Sequence, residues 1–125
     1  MKLVDLVNAL DLDVRSTPGK LDSEVAGGYV SDLLSDVLAH ARRGDVWITL
    51  QVHQNVVAVA SMKDLAGIVL VGGREPEEDT LRKAESEGIP IAVSNLPAFE
   101  LVGRLYGLGL RSGRIANATG PGGSH

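Results

Sequence analysis

Three short apolar runs, residues 45–49, 67–71 and 89–93, dominate the middle of the chain. None alternates apolar with polar positions, so each reads as a strand buried on both faces, as parallel strands are. Each is followed by a stretch with helical signals. Residues 55–65 form the first, with Asn55 expected as the cap. Pro76, followed by Glu77, Glu78 and Asp79, opens the second, and Gly88 closes it. Ser94 and Asn95 are expected to cap the third, which carries Leu101, Val102, Leu105 and Tyr106 on its inner face. Residues 45–108 therefore read as strand–helix repeated three times, which predicts an α/β fold with a parallel sheet and right-handed crossovers.

The first third of the chain adds further elements. Leu3, Val4, Leu6, Val7 and Leu10 have the spacing of an amphipathic helix over residues 2–10. Residues 11–15 suit a short strand, and residues 16–20 a loop. Residues 24–30 read as extended. The pair Gly27-Gly28 there is either a packing device or the wall of a pocket, and packing is the simpler reading. Ser31 or Asp32 is expected to cap a helix carrying Leu33, Leu34, Val37, Leu38 and Ala41 on one face and ending at Gly44. Residues 111–125 are polar and glycine-rich, so a domain over 1–110 and a flexible C-terminal tail are expected.

Composition removes several function classes. The chain has 125 residues, enough for one domain, and 44% are hydrophobic, enough for a core. Aromatics are only 3%, so that core must be aliphatic. The net charge is −4 and no Lys/Arg stripe is evident, which speaks against nucleic-acid binding. There is no cysteine, hence no disulfide framework and no thiolate nucleophile or ligand. No apolar run has the length of a membrane span, and the N-terminus carries no signal-like segment. A cytoplasmic protein is expected.

Ligands of an open parallel sheet bind beyond the carboxyl ends of its strands. Three loops share that edge: residues 49–55, 72–75 and 94–96. They bring together Thr49, Gln51, His53, Gln54, Asn55, Gly72, Gly73, Arg74, Ser94 and Asn95 as candidate ligand-binding residues. These side chains are rich in hydrogen-bonding groups and, apart from Arg74, nearly uncharged. The plain alternative is that polar residues mark a turn, because every such fold has polar loops. The Gly72-Gly73 amides suit a phosphate cradle, although Glu75, Glu77, Glu78 and Asp79 sit just behind them. The helix start at Asn55 has no acid in its first turn and is the better anion seat.

Catalytic patterns are sparse. Pro18-Gly19-Lys20-Leu21 lacks the first glycine and the hydroxyl of a P-loop, and Gly-x-Ser-x-Gly is absent. His53 has no metal-ligand partner at the right spacing, so no metal and no bound cofactor are expected. Three function classes stay open: a non-catalytic sensor of a small polar metabolite, a nucleotide among the candidates; an interaction module with no small ligand; and an enzyme using His53 as a base.

Residues 24–36 (EVAGGYVSDLLSD), 44–55 (GDVWITLQVHQN) and 68–76 (IVLVGGREP) resemble the DRTGG domain family, over roughly residues 1–110. Such domains are similar to the N-terminal domain of HPr serine kinase/phosphorylase. The resemblance implies a three-layer α/β/α fold with a central, mostly parallel, partly mixed sheet, and often a homodimer. It implies a regulatory or ligand-sensing module rather than an enzyme, and a protein partner in redox metabolism, such as an iron-only hydrogenase, as the alternative. The chain departs from the family pattern at two points. A Gly-Asp-Arg segment is replaced by Val52-His53-Gln54, and a Thr-Gly-Gly segment reads Val71-Gly72-Gly73. An acid and a base are thus exchanged for an imidazole and an amide at the ligand edge.

Overall fold

A computed structural model describes residues 1–113 of the chain. Ten regular elements follow in order: α1 (Leu3–Leu10), β1 (Asp13–Ser16), β2 (Gly27–Val30), α2 (Leu34–His40), β3 (Asp45–Thr49), α3 (Asn55–Lys63), β4 (Gly67–Leu70), α4 (Glu78–Glu87), β5 (Ile91–Val93) and α5 (Ala98–Gly107). A single 3-10 turn, Pro18–Lys20, lies between β1 and β2. The strands form one sheet in the order β1-β5-β4-β3-β2. β2 through β5 are mutually parallel, and only β1 runs antiparallel, along β5. The expected mixed, mostly parallel α/β sheet is thus observed.

Burial explains the strand assignments. Every residue of β3, β4 and β5 is buried, whereas the edge strands β1 and β2 are each partly open. Side chains alternate between the two faces. Trp47, Ile68, Leu70 and Ile91 pack with Val37 of α2, Val57 of α3 and Ala84 of α4. Val46, Ile48, Val69 and Ala92 pack with Leu3 and Leu6 of α1 and Leu101 and Leu105 of α5. From β2 to β5 each crossover steps to the next strand in the same direction. Right-handed crossovers that always step one way keep their helices on one face, so α2, α3 and α4 share it. The two terminal helices are left to close the other, which completes three layers.

Helix starts differ from the sequence expectation. α2 begins at Leu34, with Leu33 before it rather than Ser31 or Asp32. The Ser31 hydroxyl does accept the Leu33 amide, at 3.1 Å, but Asp32 is drawn to the end of β3 instead. Gln54 precedes α3, so Asn55 is its first residue rather than its cap, and Pro97 rather than Ser94 or Asn95 precedes α5. Proline suits that place because its missing N–H is one a helix start leaves unpaired anyway. α2 ends at His40, so Gly44 (φ 82°) turns the chain into β3 instead of closing the helix. Leu33, Leu38 and Tyr106, expected on inner faces, are exposed.

The glycine pair at residues 27–28 is a packing device. The Arg111 carbonyl accepts the Gly28 amide at 3.1 Å, so the chain after α5 lies across β2. A Cβ on Gly27 would stand 2.7 Å from the Gly113 nitrogen, 2.9 Å from the Arg111 oxygen and 2.9 Å from Asp45 Oδ1. Arg111 also stacks over the Tyr106 ring, 3.6 Å from its centroid. The expected tail therefore begins with three residues seated on the domain, and its residues 114–125 lie outside the described ones.

Asp45, the first residue of β3, is buried at 1% exposure. Its Oδ2 accepts the Arg42 amide at 2.8 Å, but Oδ1 has no hydrogen-bond partner among the described residues. Burial pushes this carboxyl above the usual aspartate range, against the weaker pull of the Arg42 amide. A raised pKa in the folded state means that folding takes up a proton. Stability therefore falls as pH rises from the ordinary aspartate range through the raised value. Asp45→Asn keeps an acceptor for Arg42 and removes the charge. In urea melts from mild acid to neutral pH, the variant should be more stable than the parent by about 1–3 kcal/mol at neutrality, with the gap closing in acid. A gap independent of pH would contradict this account.

Candidate functional site

The carboxyl edge of the sheet is where the connections diverge. The chain leaves β4 for α4 on one face and leaves β5 for α5 on the other. Such a divergence opens a crevice between two neighbouring strands, and ligands of α/β sheets favour that place. Here the crevice is laced shut at its base. Gly72 and Gly73 are both left-handed, at φ 67° and 70°, a conformation that glycine adopts without steric cost. Their amides turn inward, Gly72 to the Leu96 carbonyl at 2.8 Å and Gly73 to the Ser94 carbonyl at 2.9 Å. Both donors are taken, so these amides do not form the phosphate cradle that the glycine pair would suit. The pair instead binds the β4 loop to the β5 loop.

The same holds one strand over. Thr49 is 2% exposed and donates its hydroxyl to Asp32 Oδ1 at 2.7 Å. That oxygen also accepts the Leu50 amide at 2.8 Å. Gln51 gives its amide N–H to Thr49 Oγ1 at 3.2 Å and its side-chain Nε2 to the Asp32 carbonyl at 3.1 Å. The Val52 carbonyl accepts the Thr80 hydroxyl at 2.7 Å and the Glu77 amide at 3.2 Å, which anchors the loop to the start of α4. Ser94, 4% exposed, accepts the Leu96 amide on its hydroxyl at 3.1 Å.

The ten candidate residues thus divide in two. Thr49, Gln51, Gly72, Gly73 and Ser94 form a hydrogen-bonded floor. His53, Gln54, Asn55, Arg74 and Asn95 are exposed above it. The loops adjoin one another: a Cβ on Gly73 would stand 3.2 Å from Asn95 Oδ1, and one on Gly72 3.7 Å from Leu50 Cδ2. His53 Nδ1 sits 2.9 Å from Glu77 Oε2. Among the described residues, no hydrogen bond or ion pair engages the side chains of Gln54, Asn55, Arg74 or Asn95.

The acids behind the glycine pair are less repulsive than their count suggests. Glu75 receives Arg15 Nε and Nη2 at 2.8 and 3.0 Å, and this two-pronged bond holds its carboxyl below the usual range. Glu77 faces His53, and Asp79 pairs with Arg82. α3 begins with no acid in its first turn and no side-chain cap. The helix start expected as an anion seat is not open, because the Val56 and Val57 amides already donate to the His53 and Gln54 carbonyls at 3.1 and 3.0 Å. Exposed hydrogen-bonding groups and the free Arg74 guanidinium suit a polar ligand that carries an anionic group. Among the described residues, no three His, Cys, Asp or Glu gather as a metal site would need, and no helix is long and apolar enough to cross a membrane.

Two residues of this edge were not among the sequence candidates. Asp32 organises the floor, and Glu77 lies beside His53. β2 is parallel to β3, so its following loop reaches the same edge, but a strand spelled Gly-Gly-Tyr-Val does not announce itself as a buried parallel strand. Glu77 was legible only as a helix-start acid, since nothing local places His53 beside it.

No family model matches the chain, and no curated protein matches it. Among solved structures it is similar to the CBS and DRTGG domains of the regulatory region of Clostridium perfringens pyrophosphatase, a structure complexed with the activator diadenosine tetraphosphate. The superposition has a TM-score of 0.62 at 13% identity and covers 90% of this chain and 49% of the other. The chain thus spans about half the length of that structure. At such low identity the likeness speaks for the fold, and the α/β fold of this chain is DRTGG-like.

Proposed function

We propose that the protein is a non-catalytic regulatory domain that binds a small polar metabolite, with nucleotides the leading class, at the carboxyl edge of its sheet. The observation that carries this reading is the division of the edge into floor and rim. The floor satisfies its own polar groups, while Gln54, Asn55, Arg74 and Asn95 stand exposed above it without partners among the described residues. Amides that neither fold nor cap are suited to read the donor and acceptor pattern of a base. Arg74 offers a fork for a charged group, and the His53 ring, beside Glu77, offers a flat surface or a donor. The fold's likeness to the regulatory region of a pyrophosphatase complexed with a nucleotide activator supports the same reading.

Thermal-shift measurements with adenine and guanine nucleotides, dinucleotides and acetyl phosphate test it. The His53→Ala/Gln54→Ala variant should lose the ligand-induced shift. Its own stability should change by no more than about 0.5 kcal/mol, because both side chains are exposed. A large loss of stability without ligand would make this loop structural.

A second reading, a contact surface for another protein or for a second copy of the chain, is favoured by Phe99, which is 87% exposed near the same edge. A mass that rises with concentration, and that Phe99→Ser holds at the monomer, would support it. A monomer at high concentration that captures no partner would count against it.

A further inference from the structure

At the opposite end of the sheet a depression of about 570 Å3 opens where α2 and α3 end. His40, Arg42, Arg43 and Lys63 line it, beside the exposed side chain of Met62. This is a concentration of positive charge in a chain whose net charge is −4. His40 and Lys63 sit in the last turns of their helices, where a cation answers the helix dipole. Arg42 and Arg43 lie beyond the helix end and exceed that need. Arg43 Nε pairs with Asp64 at 3.1 Å, both exposed. Among the described residues, no ion pair within 4 Å engages the side chain of Arg42 or Lys63, and Arg42 attracts the buried Asp45 carboxyl only at longer range.

His40 is held in place. Its Nδ1 lies 3.0 Å from Asp36 Oδ1, and the other oxygen of that carboxylate accepts the Tyr29 hydroxyl at 2.8 Å. The Tyr29 bond first, and His40 second, hold the Asp36 carboxyl below its usual range. A carboxylate on Nδ1 fixes the ring orientation and leaves Nε2 as the nitrogen open to a ligand. We propose that this depression is a second binding site, for the phosphate group of a small molecule. Arg42, Arg43 and Lys63 neutralise its oxygens, and His40, in its imidazolium form with Nδ1–H on Asp36, donates one oriented hydrogen bond from Nε2. The phosphate can belong to a free oligophosphate or to the chain of a nucleotide.

The test uses the full chain and sodium tripolyphosphate at constant ionic strength, followed by amide chemical shifts and the His40 ring resonances. Saturable shifts should be confined to residues 40–44 and Lys63. Arg42→Ala/Lys63→Ala should weaken the binding by about tenfold or more, with Arg42→Gln/Lys63→Gln as a second variant should the first fail to fold. His53→Ala/Gln54→Ala should leave it unchanged, which separates this site from the rim at the other edge. A parallel titration with ATP distinguishes the sources: shifts at the same residues assign the site to nucleotide phosphates, and shifts with tripolyphosphate alone assign it to free oligophosphate. The proposal is overturned if the shifts stay linear, vanish at about 0.15 M salt as screened surface charge does, or persist in both variants.

Discussion

Trp47→Ala should cost about 3–5 kcal/mol and lower the melting temperature by roughly 10–25 °C. Trp47 is the largest side chain in the structure with no solvent exposure. It lies on the interior strand β3 and packs in the cluster that α2, α3 and α4 share. The other buried side chains of that cluster are aliphatic, with Tyr29 packed at its margin, and they cannot refill an indole-sized cavity without moving backbone. The indole also donates Nε1–H to the Ser31 carbonyl at 2.8 Å, tying β3 to the chain leaving β2. Trp47→Phe separates the two losses: it retains most of the volume and gives up the donor, for about 1–2 kcal/mol. Denaturant melts of both variants check the ranking. Equal costs for the two would mean that the hydrogen bond rather than the packing carries the effect.

Gly27→Val is the second large effect, and here two principles oppose one another. Valine is a better strand residue than glycine, so propensity alone expects a gain. The close approach of Gly113, Arg111 and Asp45 leaves no room for a Cβ at this position, and two of those three neighbours are backbone. Backbone cannot rotate away as a side-chain tip can. The contact should win, at a cost of about 1–3 kcal/mol. Shortening the chain after Leu110 removes two of the three obstacles, so the same substitution should cost less in the shortened protein. An undiminished cost would place the strain at Asp45 alone.

Much of the fold was legible in the sequence because its three central parallel strands are nearly pure apolar runs. β3 matches its expected bounds, residues 45–49, and β4 and β5 fall within theirs. Gly88, at φ 69°, ends α4 where a C-cap glycine was expected. Helix starts were less legible: Ser31 and Asp32 are good caps by type but bond elsewhere, and Asn55 falls one position inside α3, where its side chain cannot cap. Asp32 had two competing uses, the start of α2 and the open end of β3, and only the parallel pairing of β2 with β3 decides between them. The candidate edge was legible as three polar loops. Which of its residues hold the floor and which stand free depends on hydrogen bonds between distant segments, and no spacing in the sequence encodes those.

The charge around the edge carries the same lesson. Four acids in a short stretch read as a barrier to anions. Arg15, far away in sequence on the antiparallel strand β1, lies against Glu75 and neutralises it. The barrier is therefore lower than the local sequence implies.

The most direct test of the central claim is a map of amide chemical shifts during titration with ATP and with diadenosine tetraphosphate. The account predicts saturable shifts at His53, Gln54, Asn55, Arg74 and Asn95, with the floor residues Thr49 and Ser94 moving little. Those shifts should disappear in His53→Ala/Gln54→Ala while the rest of the spectrum stays in place. Shifts confined to other surfaces, or none with either nucleotide, would contradict nucleotide binding at this edge.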